Sequence, residues 1–207
     1  MYDDVTCVVC TPRRQIGDFR YTSGVPRRFG ELTLTPEVNR LATQSHEERL
    51  YRILSREGLS IATAESCTGG LVSHRITSVP GSSAYFLGGV VAYSNDVKMS
   101  LLGVSAEILR RSGAVSSECA LAMVRGVRAR IETDIGVSTT GIAGPGGATA
   151  TKPVGLVYIA CSMPWTEVVE EHHFTGDRSE VIAASADAAL RLVIEQLENR
   201  PQSSVSN

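Results

Sequence analysis

The residues with the most chemical potential fall in one stretch, Thr63-Ala64-Glu65-Ser66-Cys67-Thr68-Gly69-Gly70. Ser66 and Cys67 are candidate nucleophiles, Glu65 is a carboxylate, and a glycine pair follows. An apolar run precedes the stretch and a helix-like run follows it. The pattern predicts a strand-to-helix turn, where backbone N–H groups point free. Such a turn suits either an acyl-transfer nucleophile or a bound phosphate. Two more polar stretches fall at predicted strand ends, Tyr93-Ser94-Asn95 with Lys98 close behind, and Thr140-Gly141-Ile142-Ala143-Gly144.

A serine or thiol nucleophile needs a base. Of the four histidines, His46 and His74 lie on predicted helices, and His172 and His173 lie on the last predicted strand, so none sits in the three stretches. The motifs G-x-S-x-G and H-E-x-x-H are absent, and the 141–147 loop does not end in the Gly-Lys-Ser/Thr of a P-loop. Lysine can take the histidine's place if its amine is neutral near pH 7. Lys98 falls in the first turn of a predicted helix, where the dipole also penalises a cation, and Tyr93 could relay a proton. Plainer readings stand beside these: a solvated Lys98, an N-cap Ser66, a surface Glu65 and a core-packed Tyr93. Pro80-Gly81-Ser82-Ser83 is either an ordinary loop or a source of oxyanion-binding N–H groups. Arg178 could clamp a phosphate or pair with Asp177 or Glu180. Cys7 and Cys10 form a lone C-x-x-C with no second pair at zinc spacing, read as incidental thiols.

The elements that must position these groups are legible from residue 45 onward. Ser45 caps a helix with Leu50, Ile53 and Leu54 on one face, ended by Glu57-Gly58. Leu59 to Ala64 reads as a strand, Thr68 to Thr77 as a helix, and Phe86 to Tyr93 as a strand apolar enough to be buried on both faces. Short helices follow Ser94-Asn95 and span Ala106 to Arg111. Ser116 or Ser117 caps a long helix from Glu118 to about Glu132. Ile135 to Thr140 is a strand, Leu156 to Ser162 and Val168 to Phe174 pair as a hairpin, and Arg178 to Leu197 is the final helix. Helices interleaved with about five strands predict an α/β fold, a three-layer α/β/α sandwich with a mixed sheet. Residues 1–44 read as an N-terminal extension, 45–199 as one domain, and 200–207 as a polar tail.

The bulk numbers exclude several classes. A formal charge of -2 gives no basic footprint for nucleic acid. No run approaches the roughly 20 apolar residues of a membrane span, and an apolar leader is missing at the N-terminus. Five scattered cysteines suit a reducing cytoplasm better than a disulfide framework.

The ordered motifs Ala64-Glu65-Ser66-Cys67-Thr68-Gly69-Gly70, Pro80-Gly81-Ser82-Ser83, Tyr93-Ser94-Asn95-Asp96-Val97-Lys98, Gly113-Ala114-Val115-Ser116, Gly141-Ile142-Ala143-Gly144-Pro145, Lys152-Pro153-Val154-Gly155 and Phe174-Thr175-Gly176-Asp177-Arg178 resemble the CinA C-terminal family over residues 46 to 198. That family includes stand-alone nicotinamide-nucleotide amidohydrolases. The resemblance implies hydrolysis of the carboxamide of nicotinamide mononucleotide to nicotinate mononucleotide and ammonia. It implies Ser66 as nucleophile, Lys98 as general base and Tyr93 as the assisting third member. Gly81 and Ser83 match oxyanion-hole positions, while Thr140, Gly141, Ile142, Ala143, Gly144 and Arg178 match positions around the nucleotide. No metal or organic cofactor is expected; a small-molecule nucleotide and a second copy in a homodimer are. Full-length members carry a large nucleotide-hydrolysing domain for which residues 1–44 are too short. A binding module without turnover, or an amidase for another substrate, are the rival expectations.

Overall fold

The computed structural model describes residues 44–201. The expected extension, the Cys7-x-x-Cys10 pair and the end of the expected tail lie outside them. The elements are α1 (His46–Glu57), β1 (Ile61–Glu65), α2 (Leu71–Thr77), a single 3-10 turn (Ser82–Ala84), β2 (Phe86–Val91), α3 (Asn95–Leu102), α4 (Ala106–Arg111), α5 (Ser117–Ile131), β3 (Ile135–Gly141), β4 (Leu156–Met163), β5 (Thr166–His173) and α6 (Arg178–Glu198).

Local chemistry sets most boundaries. Ser45 accepts from the Glu48 N–H, and Gly58 closes α1 in the left-handed conformation. Ser94 caps α3 by accepting from the Val97 N–H. Ser116 caps α5 through the Cys119 N–H, which settles the choice between the two serines. Asp177 and Glu180 form a reciprocal capping box at the start of α6.

The sheet order is β2-β1-β3-β4-β5. β1 pairs parallel with β2 and β3, whereas β4 is antiparallel to β3 and to β5. This is the mixed five-stranded sheet the sequence predicts. One face packs on α1, α2 and α6 through Leu50, Leu54, Val72, Ile76, Leu190 and Val193. The other packs on α3 and α5 through Leu102, Cys119, Met123 and Val127. Along β1, Ile61 points to the first layer while Ala62 and Ala64 point to the second, the period-two alternation of a strand.

One expectation is corrected. β2 is not buried on both faces, because it stands at the edge of the sheet and its residues alternate between half-buried and exposed. An edge strand has a neighbour on one side only, and the seven-residue α2 covers little of it. Tyr93 lies beyond the strand and is 62% exposed, so it is not a core aromatic. Among the described residues no helix is long and apolar enough to cross a membrane.

Candidate active site

The parallel strands β1 and β3 deliver their C-terminal ends to one edge of the sheet, where ligands bind in folds of this kind. Ser66 follows β1 directly, and its N–H is tied to the Thr139 carbonyl of β3 at 2.9 Å. The side chain falls on the α3 layer, in step with Ala62 and Ala64. Lys98, one turn into α3, reaches back to meet it.

Lys98 Nζ lies 2.9 Å from Ser66 Oγ and 2.7 Å from the Ala92 carbonyl oxygen. The lysine is 1% exposed, so the solvated reading is overturned. No carboxylate pairs with it among the described residues. Burial disfavours the charged amine and lowers its pKa from the usual 10.5. A buried amine of lowered pKa within hydrogen-bond reach of a hydroxyl is the arrangement a serine nucleophile requires.

Cys67 is buried beside them, and burial pushes its thiol up to about 12. It remains a thiol at neutral pH, which removes the form that attacks.

Glu65 has a structural task. Its two carboxylate oxygens accept from the N–H groups of Gly70, Val72 and Ser73 and from the hydroxyls of Thr68 and Ser73, at 2.6 to 3.0 Å. The carboxylate is 1% exposed, not the surface group of the plain reading. It occupies the N-terminus of α2, so the phosphate-binding reading of this turn fails: the free N–H groups already face an anion of the chain itself. Gly69 and Gly70 make the turn at φ 63° and 105°, a region side chains resist. Among the described residues the amides of Cys67 and Thr68 have no hydrogen-bond partner, while those of Gly69 and Leu71 close the turn onto Ser66 and Thr68.

Ser66, Cys67, Tyr93, Asn95, Lys98, Ala114, Val115, Thr140, Gly141, Ala143 and Arg178 line a cavity of about 240 Å³. Thr140 donates its hydroxyl to the Ala114 carbonyl and so ties two walls together. Arg178 donates to the Gly144 carbonyl and to the Tyr93 hydroxyl, both at 2.8 Å. It pairs with neither Asp177 nor Glu180, which are engaged in the capping box. Tyr93 therefore borders the cavity but bonds to Arg178, not to Ser66 or Lys98. Ile142 spends its backbone on Leu156 and Gly155. Beyond Ala143 and Arg178 a second hollow of about 650 Å³ opens, lined by Gly144, Pro145, Val154 and the start of α6.

Gly81 and Ser83 do not line the cavity. They sit at the other edge of the sheet, where the Ile61 N–H meets the Tyr85 carbonyl at the start of β1. Ser66 lies at the far end of that strand, about 16 Å away at the usual rise per residue. The loop faces Tyr51 instead, so within one chain it cannot serve Ser66. The reason is topological: a parallel crossover must return to the start of the next strand.

Sequence reasoning missed Lys152, whose ammonium donates to the carbonyls of Ser112 and Val115 and pins the wall that carries Ala114. A lysine ending a glycine-rich loop gave no such signal. A larger groove of about 980 Å³ runs between α1 and the end of α6. It offers no nucleophile, and Arg49, Arg56 and Arg200 in it are paired with Glu198 and Glu57.

The CinA C-terminal domain model matches residues 43–197. A CinA-like protein of Acidobacterium capsulatum is 47% identical over 95% of this chain and 51% of its own length. One from Thermosynechococcus vestitus is 50% identical over 72% of this chain and 37% of its own. The chain thus spans from about a third to about half of the curated relatives it matches. Among solved structures, the competence/damage inducible protein CihA from Agrobacterium tumefaciens superposes with a TM-score of 0.71 at 41% identity, covering 74% of this chain and 96% of its own. The competence damage-inducible protein A (ComA) from Klebsiella pneumoniae gives 0.73 at 31% identity, over 76% and 100%. With the matched residues spanning every element around the Ser66–Lys98 pair, the chain belongs to the CinA C-terminal domain family.

Proposed function

We propose that the chain is an amidohydrolase that converts the carboxamide of nicotinamide mononucleotide to the carboxylate and releases ammonia through an acyl-enzyme. The observation that carries the chemistry is the 2.9 Å contact between Ser66 Oγ and a buried Lys98 amine that has no counter-ion among the described residues. The neutral amine takes the hydroxyl proton as Oγ attacks the carboxamide carbon. The oxyanion that develops lies nearest the amides of Cys67 and Thr68, in the turn that Glu65 holds rigid. The protonated lysine returns its proton to the amide nitrogen, the C–N bond breaks, and ammonia leaves. Water then attacks the ester with Lys98 again as base, giving the acid and restoring Ser66. No metal or organic cofactor enters these steps.

The nucleotide assignment rests on the family resemblance and on the form of the site. The inner cavity holds the dyad, and the adjoining hollow shares Ala143 and Arg178 with it. A flat amide-bearing ring fits the first, and a ribose phosphate reaching Arg178 fits the second. Tyr93 then works at the phosphate side with Arg178.

Purified protein incubated with nicotinamide mononucleotide should release ammonia. Ser66→Ala and Lys98→Ala should each lower the rate by about three orders of magnitude or more with the circular dichroism unchanged. Cys67→Ala should stay within a few-fold of the parent. Full activity in Ser66→Ala with loss in Cys67→Ala would install the thiol instead. A panel of amide-bearing nucleotides tests the substrate, and binding without ammonia release from any of them would favour a module that does not turn over.

A further inference from the structure

Asn95, Lys98 and Leu102 fall on one face of α3. Lys98 and Leu102 are its buried residues, and Asn95 stands one turn before Lys98, at a spacing that brings two side chains together. Asn95 lines the same cavity as Ser66 and Lys98, yet the acyl-enzyme steps leave it without a task. Starting the helix is not that task. The cap is Ser94, whose hydroxyl accepts from the Val97 N–H.

The other hydroxyl, ammonium and guanidinium groups of the lining are committed. Ser66 and Lys98 meet each other, and Lys98 also donates to the Ala92 carbonyl. Thr140 donates to the Ala114 carbonyl, and Arg178 to the Gly144 carbonyl and the Tyr93 hydroxyl. Among the described residues the side-chain amide of Asn95 is the one polar group of this lining that makes no hydrogen bond. It offers both an acceptor oxygen and a donor nitrogen.

The direction of the substrate amide follows from what surrounds it. Its oxygen turns toward the amides of Cys67 and Thr68, in the turn after β1. Its nitrogen then turns toward α3, because Lys98 delivers a proton to it there. Helical side chains lean toward the N-terminus of their helix. Lys98 does so, reaching back to the carbonyl of Ala92, which precedes the helix, and this brings its amine to the level of Asn95. A carboxamide nitrogen has two hydrogens to donate and no free lone pair, so it needs an acceptor on this side.

We propose that Asn95 sets the specificity for a primary carboxamide: its Oδ1 accepts one N–H of the substrate and holds the leaving nitrogen beside the Lys98 amine. This role rests on the proposed amidase reading. Lys98 takes the Ser66 proton as the Oγ–C bond forms, then passes it to the nitrogen as the C–N bond breaks. The nitrogen keeps its hydrogen bond to Asn95 until ammonia leaves. A neutral side chain suits the position, because a carboxylate there would pair with Lys98 and hold it charged.

An ester separates this role from a structural one, since its leaving oxygen has no hydrogen to donate. The methyl ester of nicotinate mononucleotide keeps the ring, ribose and phosphate. Asn95→Ala should lower kcat/KM for nicotinamide mononucleotide by about tenfold or more, while methanol release from the ester stays within about threefold. Asn95 is exposed, so the circular dichroism should not change. Equal losses on amide and ester, or an unchanged amide rate, overturn the role. Asn95→Asp checks the placement. The titratable neighbours of Lys98 are the buried thiols Cys67 and Cys119, and a carboxylate added at 95 should raise the lysine pKa. The rise of the pH–rate profile should then move to higher pH with either substrate, and a profile that stays in place overturns the proximity to Lys98. A parent chain that releases neither ammonia nor methanol overturns the amidase reading, and the Asn95 role with it.

Discussion

Lys98 holds its buried amine against the Ala92 carbonyl and the Ser66 hydroxyl, and the consequence is a titration that can be followed. Its pKa is lowered by burial, so the reactive neutral form gains population below the ordinary lysine range. The rate of ammonia release should rise with pH through that lowered pKa and level off above it, which a pH–rate profile of kcat/KM reads directly. Linkage gives a second readout with a fixed sign. Between the folded and unfolded pKa values the unfolded chain binds the extra proton, so the folded state gains stability as pH rises through that window. Below the lower pKa the burial penalty is present in full. Denaturant titrations of the parent should show this alkaline gain, and Lys98→Met should lack it.

At the scale of elements, the turn between β1 and α2 depends on Glu65. Its five hydrogen bonds replace the solvent that α2's first N–H groups would otherwise need. Glu65→Gln keeps the shape but turns an amide NH₂ toward donors, leaving buried N–H groups without acceptors. Unfolding by urea should show a loss of about 3 kcal/mol, and the turnover number should fall with it because Ser66 sits on the same turn. Arg178 joins elements that are remote in sequence, bridging the loop after β3 and the residue that ends the β2 segment. On the nucleotide reading, Arg178→Ala should raise KM for the phosphate-bearing substrate by about ten- to a hundredfold, the worth of one charge-assisted contact. Initial rates should show a much smaller change in kcat.

The whole molecule is stabilised by two apolar layers on one sheet, and α6 spans much of the larger layer. Leu190, fully buried against that layer, should cost about 2–5 kcal/mol when replaced by alanine. The denaturant slope should stay unchanged, because the surface exposed on unfolding is nearly the same.

The sequence by itself determined the elements and their order, because capping chemistry and apolar period are properties of neighbouring residues. Ser45, Ser94 and the Asp177–Glu180 box act over three or four positions, and the alternation in β1 over five. It also placed Ser66, Lys98 and Thr140 at strand ends that meet at one edge. Only the tertiary structure decided what depends on which strands and layers become neighbours. The pKa of Lys98 is lowered because α3 packs it inward, and Glu65 is a cap because α2 turns back over it. Arg178 finds Tyr93 across 85 residues of chain. β2 is exposed because no strand lies beyond it among the described residues, and the Pro80–Ser83 loop lies far from Ser66 because a parallel crossover returns to the other end of the sheet. Burial and pairing of that kind are non-local, and no period or spacing in the chain encodes them.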